Sequence, residues 1–241
     1  MGNNGTITNA TTSTYNRINA GRNALFFPTA AGSDMVDCGN GASLNPALTG
    51  LISGEFWIKT AKNYNPSGGF HVAGKWAANQ GWEFGWLIGR TFYLYSDVGG
   101  AISSVVIPDL TDGTWKHVAF THTAGAATGE IYVNGVNKTS GRTIRALTNS
   151  ASNLKVGNHG GLMAPVGGYI AAARIYNRIL TAAEVAYNYT HPNTPIRRGL
   201  VLNLSQESLY GTQWVDLSGN ANHGTITGAV VKNLASTVDG R

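Results

Sequence analysis

The chain has 241 residues, of which only 12% are charged, with 32 glycines and a formal charge of +5. Its basic residues are scattered, Arg197-Arg198 being the only adjacent pair, which excludes a nucleic-acid-binding stripe. No apolar run reaches the ~18–20 residues of a membrane span, and a lone Cys38 excludes an internal disulfide or a cysteine metal site.

The amino terminus has neither a charged nor an apolar leader region, so no signal peptide is expected. Gly5-Thr6-Ile7-Thr8-Asn9-Ala10 returns as Gly224-Thr225-Ile226-Thr227-Gly228-Ala229 at a constant offset of 219 residues (224 − 5), and the match runs on to Gly21-Arg22 and Gly240-Arg241. That spacing is the length of a domain, far beyond a solenoid period of ~20–50 residues. Two segments therefore compete for one place in the fold.

Between these copies the pattern is β-rich and punctuated by turns. Residues 24–27, 54–59, 82–88 and 91–95 read as strands, followed by 102–107, 115–121, 130–133, 154–157, 169–176 and 200–204. In 115–121 alternation puts Lys116, Val118 and Phe120 on one face and Trp115, His117 and Ala119 on the other. Both faces need cover, which predicts a central strand between two layers. Asn134-Gly135 between β-prone pieces predicts a type I′ hairpin. The one helix is predicted near 181–189, opened by a capping box of Thr181 and Glu184 and a staple of Leu180 with Val185. Residues 190–195, rich in Pro and Asn, end it, and 191–198 form the best linker. Strand-turn-strand at this spacing argues for an all-β fold of two packed antiparallel sheets over 1–190, with 199–241 completing this domain or a neighbouring copy.

These residues carry a family resemblance. Asp112-Gly113-Thr114-Trp115-Lys116-His117-Val118-Ala119, then Gly129-Glu130-Ile131-Tyr132-Val133-Asn134-Gly135, resembles the central signature of laminin-G-like domains of the concanavalin A-like lectin/glucanase superfamily. Residues 154–157, 168–178 and 180–185 match as well, so the resemblance covers roughly residues 23–190. It implies an all-β antiparallel jelly-roll sandwich of the concanavalin A-like type, with one concave and one convex sheet. The 199–204 and 214–225 segments resemble the piece that normally opens such domains, here placed after the closing helix. A circular arrangement, an excerpt from a tandem array, and strand donation to a neighbour all account for that order.

Sugar recognition needs flat aromatic faces with amide and carboxylate partners. The 70–95 segment is dense in them, and Trp82, Phe84 and Trp86 share one strand face, with Glu83 and Gly85 opposite. Each ring is either core or platform. The expected ligand contacts are Trp76, Trp82, Trp86, Tyr93, Tyr95, Asn79 and Arg90, with Lys75 and Gln80 nearby. Calcium is the cofactor the resemblance implies, and Asp34, Asp37 and Asp112 are its candidate ligands, although Asp112 before Gly113 also suits a turn cap. His117 is expected to pack or to bond toward the opposite sheet. Paired carboxylates one residue apart, as a glycosidase of this superfamily would place them, do not occur. The expectation is a non-catalytic module that binds a glycan or glycoprotein surface, in an extracellular or virion-surface setting. The alternative is a virion or surface-layer subunit that self-associates through 199–241.

Overall fold

The computed structural model describes residues 23–28, 34–45, 51–66, 68–77, 80–87, 91–96, 101–106, 110–123, 128–139, 150–158 and 165–233. The first part holds β1 (Asn23–Phe27), β2 (Met35–Asp37), a 3-10 turn at Ala42–Leu44, β3 (Leu51–Thr60), β4 (Phe70–Ala77), β5 (Gln80–Leu87), β6 (Thr91–Ser96) and β7 (Ala101–Val106). Then follow β8 (Lys116–Thr123), β9 (Thr128–Val133), β10 (Val136–Asn137), β11 (Lys155–Val156) and β12 (Gly168–Tyr176). Helix α1 (Ala182–Thr190) precedes β13 (Leu200–Tyr210), β14 (Gln213–Asp216), β15 (Gly224–Thr227) and β16 (Val230–Asn233).

Among the described residues every strand pairing is antiparallel. One layer runs β16-β1-β12-β3-β8-β9-β10, and the other runs β14-β15-β2-β11-β4-β5-β6-β7. Strand β13 joins them: Leu200–Ser205 lie beside β12, whereas Leu209 and Tyr210 lie beside β14. The layers face each other across aromatic contacts between strands that are not neighbours in either sheet. Phe84 on β5 meets Phe120 on β8 at 4.8 Å between ring centroids and Phe56 on β3 at 5.7 Å, and Trp82 meets Phe120 at 5.3 Å. Alternation along the strands produces this core, because every second residue of a strand points to the same face. The architecture is the expected antiparallel jelly-roll sandwich, with one short α-helix among the described residues.

Strand β8 is central, between β3 and β9, and its two faces divide as alternation requires. Val118 and Phe120 enter the inter-sheet core, while Ala119 packs beneath the helix with Leu180 and Val185. The helix begins where the capping box places it: Glu184 N donates to Thr181 Oγ1 at 3.2 Å, and Thr181 N donates to Glu184 Oε2 at 2.9 Å. The Asn134-Gly135 turn takes positive φ at both positions, 51° and 76°, as a type I′ hairpin demands.

The described part of the terminal segment, 199–233, is paired with strands of its own chain. Thr225, Ile226 and Thr227 lie opposite Asp37, Val36 and Met35, and β16 lies along β1. Its amino-terminal copy, 5–22, falls outside the described residues.

Candidate functional site

The outer faces of the two layers differ in what covers them. Over β3, β8 and β12 the helix and the chain after it close the surface. Trp57 stacks on Tyr189 at 5.7 Å, and Asn188 Nδ2 donates to Glu55 Oε2 at 2.9 Å. Arg174 Nη1 donates to Glu55 Oε1 at 2.8 Å, and its Nη2 donates to the Pro192 carbonyl. Burial alone would raise the Glu55 pKa, but His117 and Arg174 outweigh it and hold the carboxyl at about 2. His117 therefore packs away from the opposite sheet, against Trp57 and Tyr189, with Nε2 at 3.5 Å from Glu55 Oε2, beyond a strong hydrogen bond. Alternation decides this, since its neighbours Lys116 and Val118 belong to the other face. This side of the sandwich is a structural polar network.

The outer face of the second layer carries the candidate site. One cross-strand row runs Thr225, Asp37, Lys155, Gly74, Glu83, Tyr95. Five inter-strand steps of ~4.8 Å make it about 24 Å long, enough for several rings of an extended oligosaccharide. At one end Trp76 and Tyr95, both half-buried, hold their rings 5.2 Å apart. At the other end lies an open cleft of about 710 Å³ whose lining includes Asp37, Asn153, Asn220, His223, Thr225 and Thr227. Asp37 is held in place there: Oδ1 accepts from Gly39 N at 2.9 Å and Oδ2 from Asn153 Nδ2 at 3.0 Å. His223 Nδ1 accepts from Asp216 N at 3.0 Å, which leaves the ring proton on Nε2. Carboxylate, amide and hydroxyl groups in this arrangement match the alternating donors and acceptors of a polyol.

Between these ends sits a buried polar cluster. His71 Nε2 lies 3.0 Å from Glu83 Oε2, and burial first, then the Glu83 carboxylate that its hydroxyl bonds, pushes the Tyr93 phenol above its ordinary range. Tyr93 is only 2% exposed, so it positions Glu83 and offers no open ring face.

Several expected contacts take other places. Trp82 and Trp86 are each 1% exposed and belong to the inter-sheet core, so they are not ligand platforms. They share a face with Phe84, as alternation requires, but that face is the inner one, where Trp86 stacks on Phe70 at 6.1 Å. Lys75 is also turned inward. Its Nζ donates to Asn40 Oδ1 at 2.5 Å, Asn45 Oδ1 at 2.6 Å and Ser150 O at 2.6 Å, and burial lowers its pKa to about 8. It ties together the two loops that wall the cleft. Asn79 and Arg90 lie outside the described residues.

The aspartates expected as calcium ligands are not gathered. Among the described residues no group of three or more His, Cys, Asp or Glu could hold a metal ion. Asp112 caps its own turn, accepting from Thr114 N at 2.7 Å and Lys116 Nζ at 2.7 Å. Asp37 is committed to Gly39 and Asn153, and the Asp34 carboxylate lies against Gly228. Asp34, Asp37 and Asp112 therefore do not fit as one donor set. The cleft residues from β15 and the preceding loop, His223, Thr225 and Thr227, escaped the sequence reading. Their only signal was the repeat itself, which marks the segment without saying which side chains face outward.

Residues 30–186 match the family model described as the concanavalin A-like lectin/glucanases superfamily. The chain belongs to that superfamily. Among solved structures it is similar to a Bacteroides ovatus protein proposed to bind carbohydrate, with a TM-score of 0.63 and 18% identity over 88% of this chain and 60% of that one. A heptameric SAP-like pentraxin from Limulus polyphemus gives a TM-score of 0.58 and 14% identity over 89% and 96%. The binding domain of Paraclostridial Mosquitocidal Protein 1 gives 0.52 and 18% over 71% and 44%. At these identities the likeness concerns the fold. No curated protein sequence matches the chain.

Proposed function

We propose that this superfamily member is a non-catalytic recognition module that binds glycans or glycoprotein surfaces through the outer face of β2, β11, β4, β5 and β6. The observation that carries the reading is the placement, on one face, of a half-buried Trp76–Tyr95 pair and a polar cleft lined by Asp37, Asn153, Thr225 and Thr227. Aromatic faces take the apolar side of a pyranose, and the cleft takes its hydroxyls. A single shallow site of this kind binds weakly, so affinity comes from several copies acting together. Carbohydrate binding proposed for the Bacteroides ovatus relative supports the same reading.

Glycoside hydrolysis needs two carboxyl groups ~5–9.5 Å apart. On this face Glu83 and Asp37 are three strand steps apart, through Gly74 and Lys155, which is about 14 Å. That separation supports binding over cleavage. A glycan array of neutral and sialylated oligosaccharides tests the proposal, with wild type beside Asp37→Ala/Thr227→Ala. Binding by wild type that the double variant loses is the expected result; a folded wild type that binds no glycan overturns it. A second reading, a structural subunit assembling through its terminal strands, is favoured by the duplicated segment, and light scattering across a concentration series tests it.

A further inference from the structure

Beyond the helix, the outer face of the first layer opens. Trp57, stacked beneath Tyr189, is 2% exposed, but two residues further along β3 Lys59 is half-buried. Lys59 stands in a cross-strand row that runs Val230, Phe26, Tyr169, Lys59, Trp115. Alternation turns this row outward, because Leu25, Ile58 and Ile170 enter the inter-sheet core and Val231 packs against it. Four inter-strand steps of ~4.8 Å make the row about 19 Å long.

The row is aromatic along most of its length. Phe26 and Tyr169 hold their ring centroids 5.0 Å apart, and Trp115 lies 6.3 Å from Tyr169. All three rings are half-buried, and Val230 is 46% exposed. Lys59 Nζ lies over the Tyr169 ring, 6.0 Å from its centroid. Cross-strand pairs of this kind stabilise a sheet by themselves. Polar β-formers would serve that purpose at water-facing positions too, so three rings and a valine kept contiguous there mark a contact surface. The charge beside them is positive. Lys232, exposed and two residues from Val230, faces the same way, three strand steps or ~14 Å across the strands from Lys59. Among the described residues, neither this row nor Lys232, Ala24, Trp57 and His117 beside it include a carboxylate. Off the two ends, Asp112 is bonded to Thr114 and Lys116, and Asp34 lies against Gly228.

We propose that this row is a second carbohydrate site, which takes the uronic-acid residues of an extended acidic polysaccharide. Pyranose rings lie on Phe26, Tyr169 and Trp115, and carboxylates pair with Lys59 and Lys232. Charge spacing selects this ligand. A second copy docked face to face would set lysine-bearing surfaces against each other. A nucleic-acid strand carries a phosphate every ~3.4 Å, far denser than two ammonium groups ~14 Å apart. A polyuronate separates its carboxylates by apolar ring faces, which is the pattern of the row. The site lies on the layer opposite the Asp37 cleft and does not depend on the reading proposed for that cleft.

The test is titration calorimetry of the full chain with oligogalacturonate, beside its uncharged methyl ester. Wild type should bind the free acid, and bind the ester severalfold more weakly. Lys59→Gln/Lys232→Gln should melt as wild type does, lose affinity for the acid severalfold, and no longer distinguish acid from ester. Tyr169→Ala should weaken binding of both about 2- to 12-fold. Asp37→Ala/Thr227→Ala should bind the acid as wild type does, which keeps failure here distinct from failure of the cleft proposal. A folded wild type that does not bind the acid overturns the proposal, as does binding indifferent to the lysine pair. Acid binding abolished by Asp37→Ala/Thr227→Ala would move the ligand to the cleft and overturn it too. So would a single-stranded oligonucleotide that binds more tightly than the acid through the same lysines, since that names a different ligand class.

Discussion

Two tryptophans six residues apart should respond in opposite ways to the same truncation. Trp82→Ala empties a core position that is 1% exposed and in contact with Phe120 across the sandwich. Such a loss costs about 3–5 kcal/mol, and at ~2–4 °C per kcal/mol for a chain of this size the melting temperature should fall by roughly 6–20 °C. Trp76→Ala removes a half-buried ring whose described aromatic partner is Tyr95. The aromatic pair is worth ~0.5–1.5 kcal/mol, or a few degrees at most. If a sugar ring stacks on Trp76 with similar strength, affinity should fall about 2- to 12-fold. Thermal melts by circular dichroism and titration with a glycan identified on the array separate the two effects. Trp82→Ala that weakens binding while melting normally would refute the assignment of the inner and outer faces. So would Trp76→Ala that melts as early as Trp82→Ala and binds as wild type.

Other outcomes follow from the same geometry. Glu55 is held at about 2 against an ordinary value of 4.5, so its contribution, about 3 kcal/mol, is complete above pH 4.5 and lost as pH falls through 2. Urea midpoints across pH 2–5 should therefore decline in wild type more steeply than in Glu55→Gln; parallel slopes would contradict the network. Gly157→Ala at φ 88° would drive a Cβ into the Phe27 ring, so the variant should lose at least ~1 kcal/mol in denaturant melts. Thr181→Ala, by removing the α1 cap, should cost about 1 kcal/mol and leave glycan binding unchanged.

Much of the fold was legible in the residues because local chemistry dictates it. The Asn134-Gly135 hairpin, the Thr181–Glu184 capping box and the two-faced pattern of 115–121 each depend on neighbours in sequence, and each took the expected form. The site was less legible. Alternation put Trp82, Phe84 and Trp86 on one face but could not say whether that face was inner, because the answer depends on Phe120 and Phe56 from distant strands. Lys75 looked like a ligand partner beside Trp76. Its destination became visible only when Asn40, Asn45 and Ser150 converged on its ammonium. The cleft itself joins β2, β15 and the 153 loop, nearly two hundred residues apart in sequence, so no local pattern announces it.

The most direct test is the indole region of a nitrogen–proton correlation spectrum, recorded while adding a glycan that the protein binds. Four of the six tryptophans report on distinct places: Trp76 on the outer face, Trp82 and Trp86 in the core, and Trp57 under the helix. The largest shift is expected at the Trp76 indole, with Trp82, Trp86 and Trp57 nearly still. A largest shift at Trp57, or saturable binding that moves no resonance near Trp76, would contradict it.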